Sequence, residues 1–221
     1  MSNLPLKSES DLDIKGLQLI KDFINFEEEQ FLLQMIYKEE WNTSIKRRVI
    51  HFGHIFQYKD KKVDKSNFTK FPLWLGLIIN KLKNIDILKN FTPDQCTINE
   101  YLPGIGISSH IDTHSSFTDC IISISLGSPI TMKFTDKTNN QTSNLYLPKR
   151  SLLVLSEDAR YKYSHGISWR KTDCNPSGEI IKRKKRVSIT LRNIRKKNEA
   201  CNCKWPNLCD SQEGIIEKTR L

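Results

Sequence analysis

Two hydrophobic periodicities divide this chain. After Asn25, the residues Phe31, Leu32, Met35 and Ile36 recur at helical spacing up to Trp41, and Glu27, Glu28 and Glu29 fill the first turn. That pattern predicts an N-capped amphipathic helix with its acids at the positive end of the dipole. Leu73 to Leu88 reads as a second helix, and Arg48 to Tyr58 alternates polar and apolar residues as a strand does. From Thr97 onward the apolar runs become short: Thr97–Tyr101, Cys120–Leu126, Ile130–Phe134, Leu145–Leu147, Leu152–Leu155, Tyr161–Ser164 and Arg186–Ile194. Pro103-Gly104, Gly127-Ser128-Pro129 and Asn139-Asn140 punctuate them, and Lys137–Asn144 reads as a loop. Helices followed by many short strands predict an α+β, mainly β chain, built as a sandwich or jelly roll with N-terminal buttressing helices.

Composition narrows the class. The chain has 221 residues, of which 38% are hydrophobic and 27% charged, enough for one well-buried domain. The first thirty residues lack a basic-then-apolar leader pattern, and Phe71–Leu82 is too short and interrupted to span a bilayer. A cytoplasmic location without membrane contact is expected, and the basic string 182–185 is also compatible with nuclear entry. The net charge of +10 points to a polyanionic partner, with Lys46-Arg47-Arg48 and Lys182–Lys185 as the densest clusters. Six cysteines in such a compartment are reduced thiols or metal ligands. Cys96 and Cys120 sit in strand-like runs as buried thiols, whereas Cys201, Cys203 and Cys209 are close enough in sequence to share a metal.

The chemistry concentrates in Thr97-Ile-Asn-Glu-Tyr-Leu-Pro-Gly-Ile-Gly-Ile-Ser-Ser-His-Ile-Asp-Thr-His114. His110 and Asp112 stand two apart, and His165 follows much later in Ser-His-Gly-Ile. Two histidines and a carboxylate can occupy one triangular face of an octahedral metal and leave three positions open. That suits a non-haem Fe(II) oxygenase better than a closed zinc site. Strand alternation places Asn99 with Tyr101, and Arg186 with Ser188, Thr190 and Arg192. Taken alone, this last face fits either a solvated basic edge or an interior that needs an anionic partner, such as the far carboxylate of 2-oxoglutarate.

The ordered conjunction resembles the AlkB family of Fe(II)- and 2-oxoglutarate-dependent dioxygenases, and within it the branch that hydroxylates a modified uridine at the tRNA wobble position. The resemblance runs from about Gly16 to Gln212. It rests on Arg47-Arg-Val-Ile-His-Phe-Gly53, Asp94 to Gly104, His110-Ile-Asp-Thr-His-Ser115, Ile122 to Ser128, Leu147 to Val154, Arg160-Tyr161 and His165-Gly-Ile167. It implies iron bound by His110, Asp112 and His165, and 2-oxoglutarate held by Asn99, Tyr101, Arg186 and Arg192, with O2 as the second co-substrate. It also implies a structural Zn(II) held by His114 with Cys201, Cys203 and Cys209, a Cys3His set of the closed type; Asp210 and Cys96 are alternative fourth ligands. The implied organisation is a start without fixed structure (1–12), a dioxygenase domain (13–195), a zinc-pinned tail (196–212) and a flexible end (213–221).

The expected partner is nucleic acid, foremost a tRNA anticodon loop, with a separate methyltransferase to supply the modified uridine. His51 and His54, beside Arg47-Arg48, read either as a packed strand or as part of a lid over an unstacked base. Two other functions compete. One is an oxidative demethylase of N-alkylated bases in DNA or RNA; the other is a catalytically silent, zinc-containing nucleic-acid-binding module. His114 and the C-terminal cysteines favour the uridine hydroxylase, because repair members of the family place an acidic, base-reading residue where His114 stands.

Overall fold

The structure, a computed structural model, describes residues 12–57, 62–196 and 199–212. In chain order the elements are β1 (Leu17–Ile20), α1 (Phe26–Ile36), β2 (Val49–Gln57), β3 (Lys62–Thr69), α2 (Gly76–Leu82), β4 (Gln95–Tyr101), β5 (Ile107–His110), β6 (Phe117–Leu126) and β7 (Ile130–Asp136). They continue with β8 (Thr142–Leu147), β9 (Leu152–Leu155), α3 (Glu157–Tyr161), β10 (Tyr163–Ile167), β11 (Thr172–Cys174), β12 (Ile180–Lys182) and β13 (Arg186–Ile194). One sheet runs β1-β9-β6-β13-β4-β2-β3 and a second runs β5-β10-β7-β8, while β11 and β12 form a separate ribbon. The paired strands are antiparallel throughout.

Two apolar layers hold this jelly roll. On the outer face of the larger sheet, Ile98, Ile122, Val154, Val187 and Ile189 pack against Leu32 and Ile36 of α1 and Ile78 and Leu82 of α2. Between the sheets, Leu19, Ile121 and Leu153 meet Ile130, Phe134 and Leu145. The buttressing helices are thus the cover without which the large sheet would expose a continuous apolar face. α1 starts where the sequence predicts: Asn25 and Glu28 exchange side-chain-to-backbone hydrogen bonds of 2.8 Å each, a complete capping box.

Several boundaries differ from the sequence reading. α1 stops at Ile36 rather than running to Trp41, because Tyr37 turns its hydroxyl onto Glu100 and Trp41 stacks under Arg48. The Leu73–Leu88 run splits into 3-10 turns at Leu73–Leu75 and Asp86–Leu88 around α2. A turn at 83–85 drives Ile85 and Leu88 inward, which one straight helix could not do. Tyr161 closes α3 instead of opening a strand, and β10 begins at Tyr163. The expectations for residues 1–11 and 213–221 lie outside the described residues. No described helix is long and apolar enough to cross a membrane.

Candidate metal centre and its cavity

β5 and β10 bring the two distant histidines together. The strands pair with His110 opposite His165, and their ring centroids are 4.6 Å apart. Glycines permit this approach: a Cβ on Gly166 would meet Ser109 Cα at 2.8 Å, and one on Gly106 would meet the Ile167 carbonyl oxygen at 2.2 Å. Asp112 lies just past the end of β5, with its Oδ2 3.6 Å from His165 Nε2. One ligand atom from each of His110, Asp112 and His165 falls within 4.8 Å of the others.

Neighbours leave the metal-facing atoms free. His110 Nδ1 is 2.8 Å from the Ser108 carbonyl oxygen, which selects the Nδ1–H tautomer and leaves the Nε2 lone pair available. Arg192 donates through Nε to Asp112 Oδ1 at 2.9 Å, while Asp112 Oδ2 is buried with no hydrogen-bond partner. Burial alone would raise the Asp112 pKa; Arg192 and His165 override it and hold the carboxyl well below the usual range. Burial, with His110 nearby, pushes His165 down to about 3, so it is a neutral imidazole at physiological pH. A set of two imidazoles and one carboxylate with an orphaned, inward-facing oxygen fits a divalent cation with open positions.

Behind the triad, β13 pairs with β4 so that Arg186 faces Tyr101, Ser188 faces Asn99 and Arg192 faces Gln95. The arginine face points between the sheets, which resolves the alternative left open by strand alternation. Arg186 is 1% exposed; its Nη2 donates to Ser125 Oγ at 2.8 Å, but Nε and Nη1 have no partner. Burial pushes it down to about 10. Arg186, Tyr101, Ser188 and Thr190 line one narrow cavity with the three candidate ligands. Arg192, in contrast, is committed to Asp112 and to Gln95 Oε1 at 3.0 Å, so it orients a candidate metal ligand. Asn99 accepts a 2.8 Å bond from Arg47 Nε.

A wider cavity of about 600 Å³ opens from the same cluster and is rimmed by Arg47, Trp169, Leu208 and Asp210. The last two come from the C-terminal tail. His114, Cys201, Cys203 and Cys209 also offer ligand atoms within 4.8 Å of one another. His114 Nε2 is buried and unpartnered, and its Nδ1 is 3.5 Å from Cys203 Sγ. Burial pushes the Cys203 thiol up to about 12, so adjacent thiolates here call for a cation. The two substitute ligands are otherwise placed: Asp210 accepts from Ser115 N at 3.0 Å, and Cys96 lies in the core under the helices.

Residues that the sequence reading left without a role complete the picture. Arg160 is 2% exposed and donates to four backbone carbonyls: Asp112 at 2.7 Å, Thr113 at 3.1 Å, Phe117 at 3.1 Å and Thr118 at 3.2 Å. No spacing rule flags one arginine in a short helical run. Two members of the basic clusters are consumed internally. Arg48 pairs with Glu100 at 2.6 Å, and buried Arg183 pairs with buried Asp173 at 2.6 Å. His51 contacts Thr97 Oγ1 at 3.2 Å, and His54 packs edge-on to Phe68.

Residues 18–192 match the family model of the 2OG-Fe(II) oxygenase superfamily. The chain is 39% identical to the "Alkylated DNA repair protein ALKBH8 homolog" of Arabidopsis thaliana, over 94% of this chain and 66% of that protein. It is 38% identical to the "tRNA (carboxymethyluridine(34)-5-O)-methyltransferase alkbh8" of Xenopus tropicalis, over 92% of this chain and 35% of that protein. It thus spans less than two thirds of either relative. The solved structure of OsALKBH1 shares the fold, with a TM-score of 0.61 at 16% identity over 80% of this chain and 96% of that one. The chain belongs to the 2OG-Fe(II) oxygenase superfamily, in its AlkB family, and is a non-haem iron, 2-oxoglutarate-dependent dioxygenase of the ALKBH8 type.

Arg160→Lys keeps the charge but cannot reach four carbonyls at once. Urea unfolding should show a loss of about 3 kcal/mol or more, the usual cost of breaking a buried charged network. A loss below ~1 kcal/mol would mean that the 112–118 turn holds itself.

Proposed function

We propose that this chain hydroxylates the side chain of an already modified wobble uridine in tRNA, with Fe(II) held by His110, Asp112 and His165. The observation that carries the substrate reading is the engagement of His114. Its ring belongs to a cluster with three tail cysteines, so the position two residues after Asp112 is not the acidic base reader of a repair enzyme. The similarity to a relative named for carboxymethyluridine at position 34 supports the same reading.

Bound Fe(II) with O2 supplies the oxidising power for C–H hydroxylation, coupled to conversion of 2-oxoglutarate to succinate and CO2. The chain's own residues bind and orient. Arg186 offers two unpaired guanidinium nitrogens to the C5 carboxylate of 2-oxoglutarate, with Tyr101 against its plane at 5.2 Å and Asn99 nearby on β4. Arg192 keeps the Asp112 carboxylate turned inward. A structural Zn(II) on His114, Cys201, Cys203 and Cys209 fastens the tail so that Leu208 and Asp210 form part of the substrate rim. The uridine ester arises by methyl transfer to a carboxymethyl group, so a methyltransferase activity acts upstream. Oxidative demethylation of N-alkylated bases is the second reading, favoured by the name of the Arabidopsis relative.

One assay separates them: an anticodon stem-loop bearing a carboxymethyl-type wobble uridine ester, against a single-stranded DNA carrying N6-methyladenine. Hydroxylated uridine is expected from the RNA, with little formaldehyde from the DNA. The reverse pattern transfers the assignment to demethylation.

Arg186→Met should make the ligand-free protein more stable, by about 1 kcal/mol or more, because it removes a buried charge with unpaired donors. It should also abolish the added stability that 2-oxoglutarate confers on the wild type with Mn(II), about 2.7 kcal/mol at 100 times Kd. Thermal melts with and without co-substrate read both effects; retained stabilisation by 2-oxoglutarate would remove Arg186 from the co-substrate site.

Purified protein should carry about one zinc per chain, as expected for a closed four-ligand site. Cys203→Ser should lose it and expose the chain beyond Arg195 to protease. Zinc persisting after replacement of Cys201, Cys203 and Cys209 together would place that metal elsewhere.

A further inference from the structure

Trp169 has no structural role that accounts for it. The chain holds four tryptophans. Trp74 packs edge-on to Phe52, Trp41 lies under Arg48, and Trp205 donates to Asp158. Among the described residues Trp169 makes neither a ring contact nor a hydrogen bond, is 54% exposed, and lines the wide cavity that also contains His110 and Asp112. A large aromatic ring left open on the lining of a cavity that also holds two candidate metal ligands offers a planar ligand a contact face.

Its backbone, by contrast, is tied down from several sides. Buried Asp173 accepts from Arg183 Nε at 2.6 Å and from Arg170 Nε at 2.9 Å. Arg183 also donates through Nη1 to the Ser168 carbonyl at 2.7 Å, and its backbone N–H bonds the Lys171 carbonyl at 2.9 Å. Gly104 N–H reaches the Arg170 carbonyl at 3.2 Å. Buried Asp173, gripped by buried Arg183 and by the more exposed Arg170, thus stabilises the short loop that presents Trp169. Ordering a side chain on binding is costly, and a loop fixed beforehand lowers that cost.

We propose that Trp169 is the stacking platform for the uracil ring of the target nucleotide, holding the base at the mouth while its C5 substituent reaches toward His110 and Asp112. The occupant must be planar to use the exposed indole face. It must also suit Arg47, which lines the same cavity together with Asp210, on a chain of net charge +10. A cavity of about 600 Å³ has room for a nucleoside in addition to the reacting group. An unstacked base on a polyanionic strand meets all three conditions, and aromatic stacking is the usual way single strands are gripped without reading their edges. This inference rests on the tRNA reading and adds to it the residue that positions the base.

The test compares two 17-nucleotide anticodon stem-loops, one with uridine at the wobble position and one abasic there, by fluorescence anisotropy. Trp169→Leu keeps an apolar side chain but removes the π-face. It should weaken the uridine ligand about 5- to 150-fold, the usual range for one base–aromatic stack, and change the abasic ligand by about twofold at most. Trp169→Phe should recover part of the loss. Thermal melting should be nearly unchanged in both variants, because the side chain is exposed. Equal losses on both ligands, or no loss on either, would overturn the proposal. Failure of the wobble-uridine reading shows separately. In that case the hydroxylation assay gives no uridine product, while a Trp169-dependent difference between base-bearing and abasic single strands survives on methylated DNA.

Discussion

The guanidinium of Arg160 is the interaction on which the two metal-type clusters depend. A buried cation stabilises a fold when its donors are paired, and Arg160 makes hydrogen bonds to four carbonyls of the 112–118 turn. That turn carries Asp112 toward one cluster and His114 toward the other. Two further arginines grip it from other sides: Arg192 holds the Asp112 carboxylate, and Arg195 donates to the His114 carbonyl at 3.1 Å. Only a planar fork with five donors can satisfy several carbonyls from one buried point, so lysine is not an equivalent here. Tyr161, next in sequence, packs edge-on to the His114 ring at 4.9 Å, so α3 supports both the turn and the tail.

Arg186 is as deeply buried as Arg160 and is its opposite in satisfaction. One is fully paired and stabilises the fold; the other keeps two nitrogens without partners and costs stability in the ligand-free protein. Of the other orphaned side-chain atoms among the described residues, Asp112 Oδ2, His165 Nδ1 and His114 Nε2 lie in the two metal-type clusters, while Trp41 Nε1, His54 Nδ1 and Thr131 Oγ1 lie outside them. Buried groups left unpaired in an otherwise well-bonded protein show where ligands are needed. Five of the eight such atoms belong to Arg186 and the two candidate metal clusters, so a ligand bound there would also complete the local bonding.

Much of the arrangement was legible in the residue pattern, and the rest was hidden for identifiable reasons. β9 and β13 fall at the bounds read from alternation, because their apolar residues are dense and flanked by turns. His-x-Asp and a lone distal histidine are weak signals by themselves; the ordered conjunction with Asn-x-Tyr, Pro-Gly and Arg-x5-Arg singled out His110, Asp112 and His165, and the fold brings these three side chains together. β5 was missed because Ile-Ser-Ser-His carries no apolar alternation, and β3 because Lys-Val-Asp-Lys-Ser-Asn-Phe-Thr is mostly polar. The direction of the arginine face was undetermined because a strand's two faces are equivalent until its neighbours are known. Charge was the least faithful guide. Arg48 and Arg183 count toward the net charge but neutralise Glu100 and Asp173 inside the protein, so the surface offered to a polyanion is smaller than the clusters suggest.

The tail explains why a second metal-type cluster stands so near the first. Its described part, 199–212, contributes little apolar surface: Cys201 and Cys209 join Tyr161 in a small cluster, flanked by Cys203 and Trp205. A segment of that size cannot hold a defined position by burial alone, and the usual remedy is a metal or a covalent staple. Yet the position must be defined, because Leu208 and Asp210 form one side of the wide cavity and Asp210 is bonded to Ser115, next to His114. Trp169 forms part of the same rim on a loop fixed by the Asp173 clamp. The floor of the cavity is built by the jelly roll, whereas much of its rim, beside Arg47, is built by two short segments, each anchored by buried charge or by clustered thiols. Substrate preference can therefore change through the rim while the oxidative chemistry of the floor is kept.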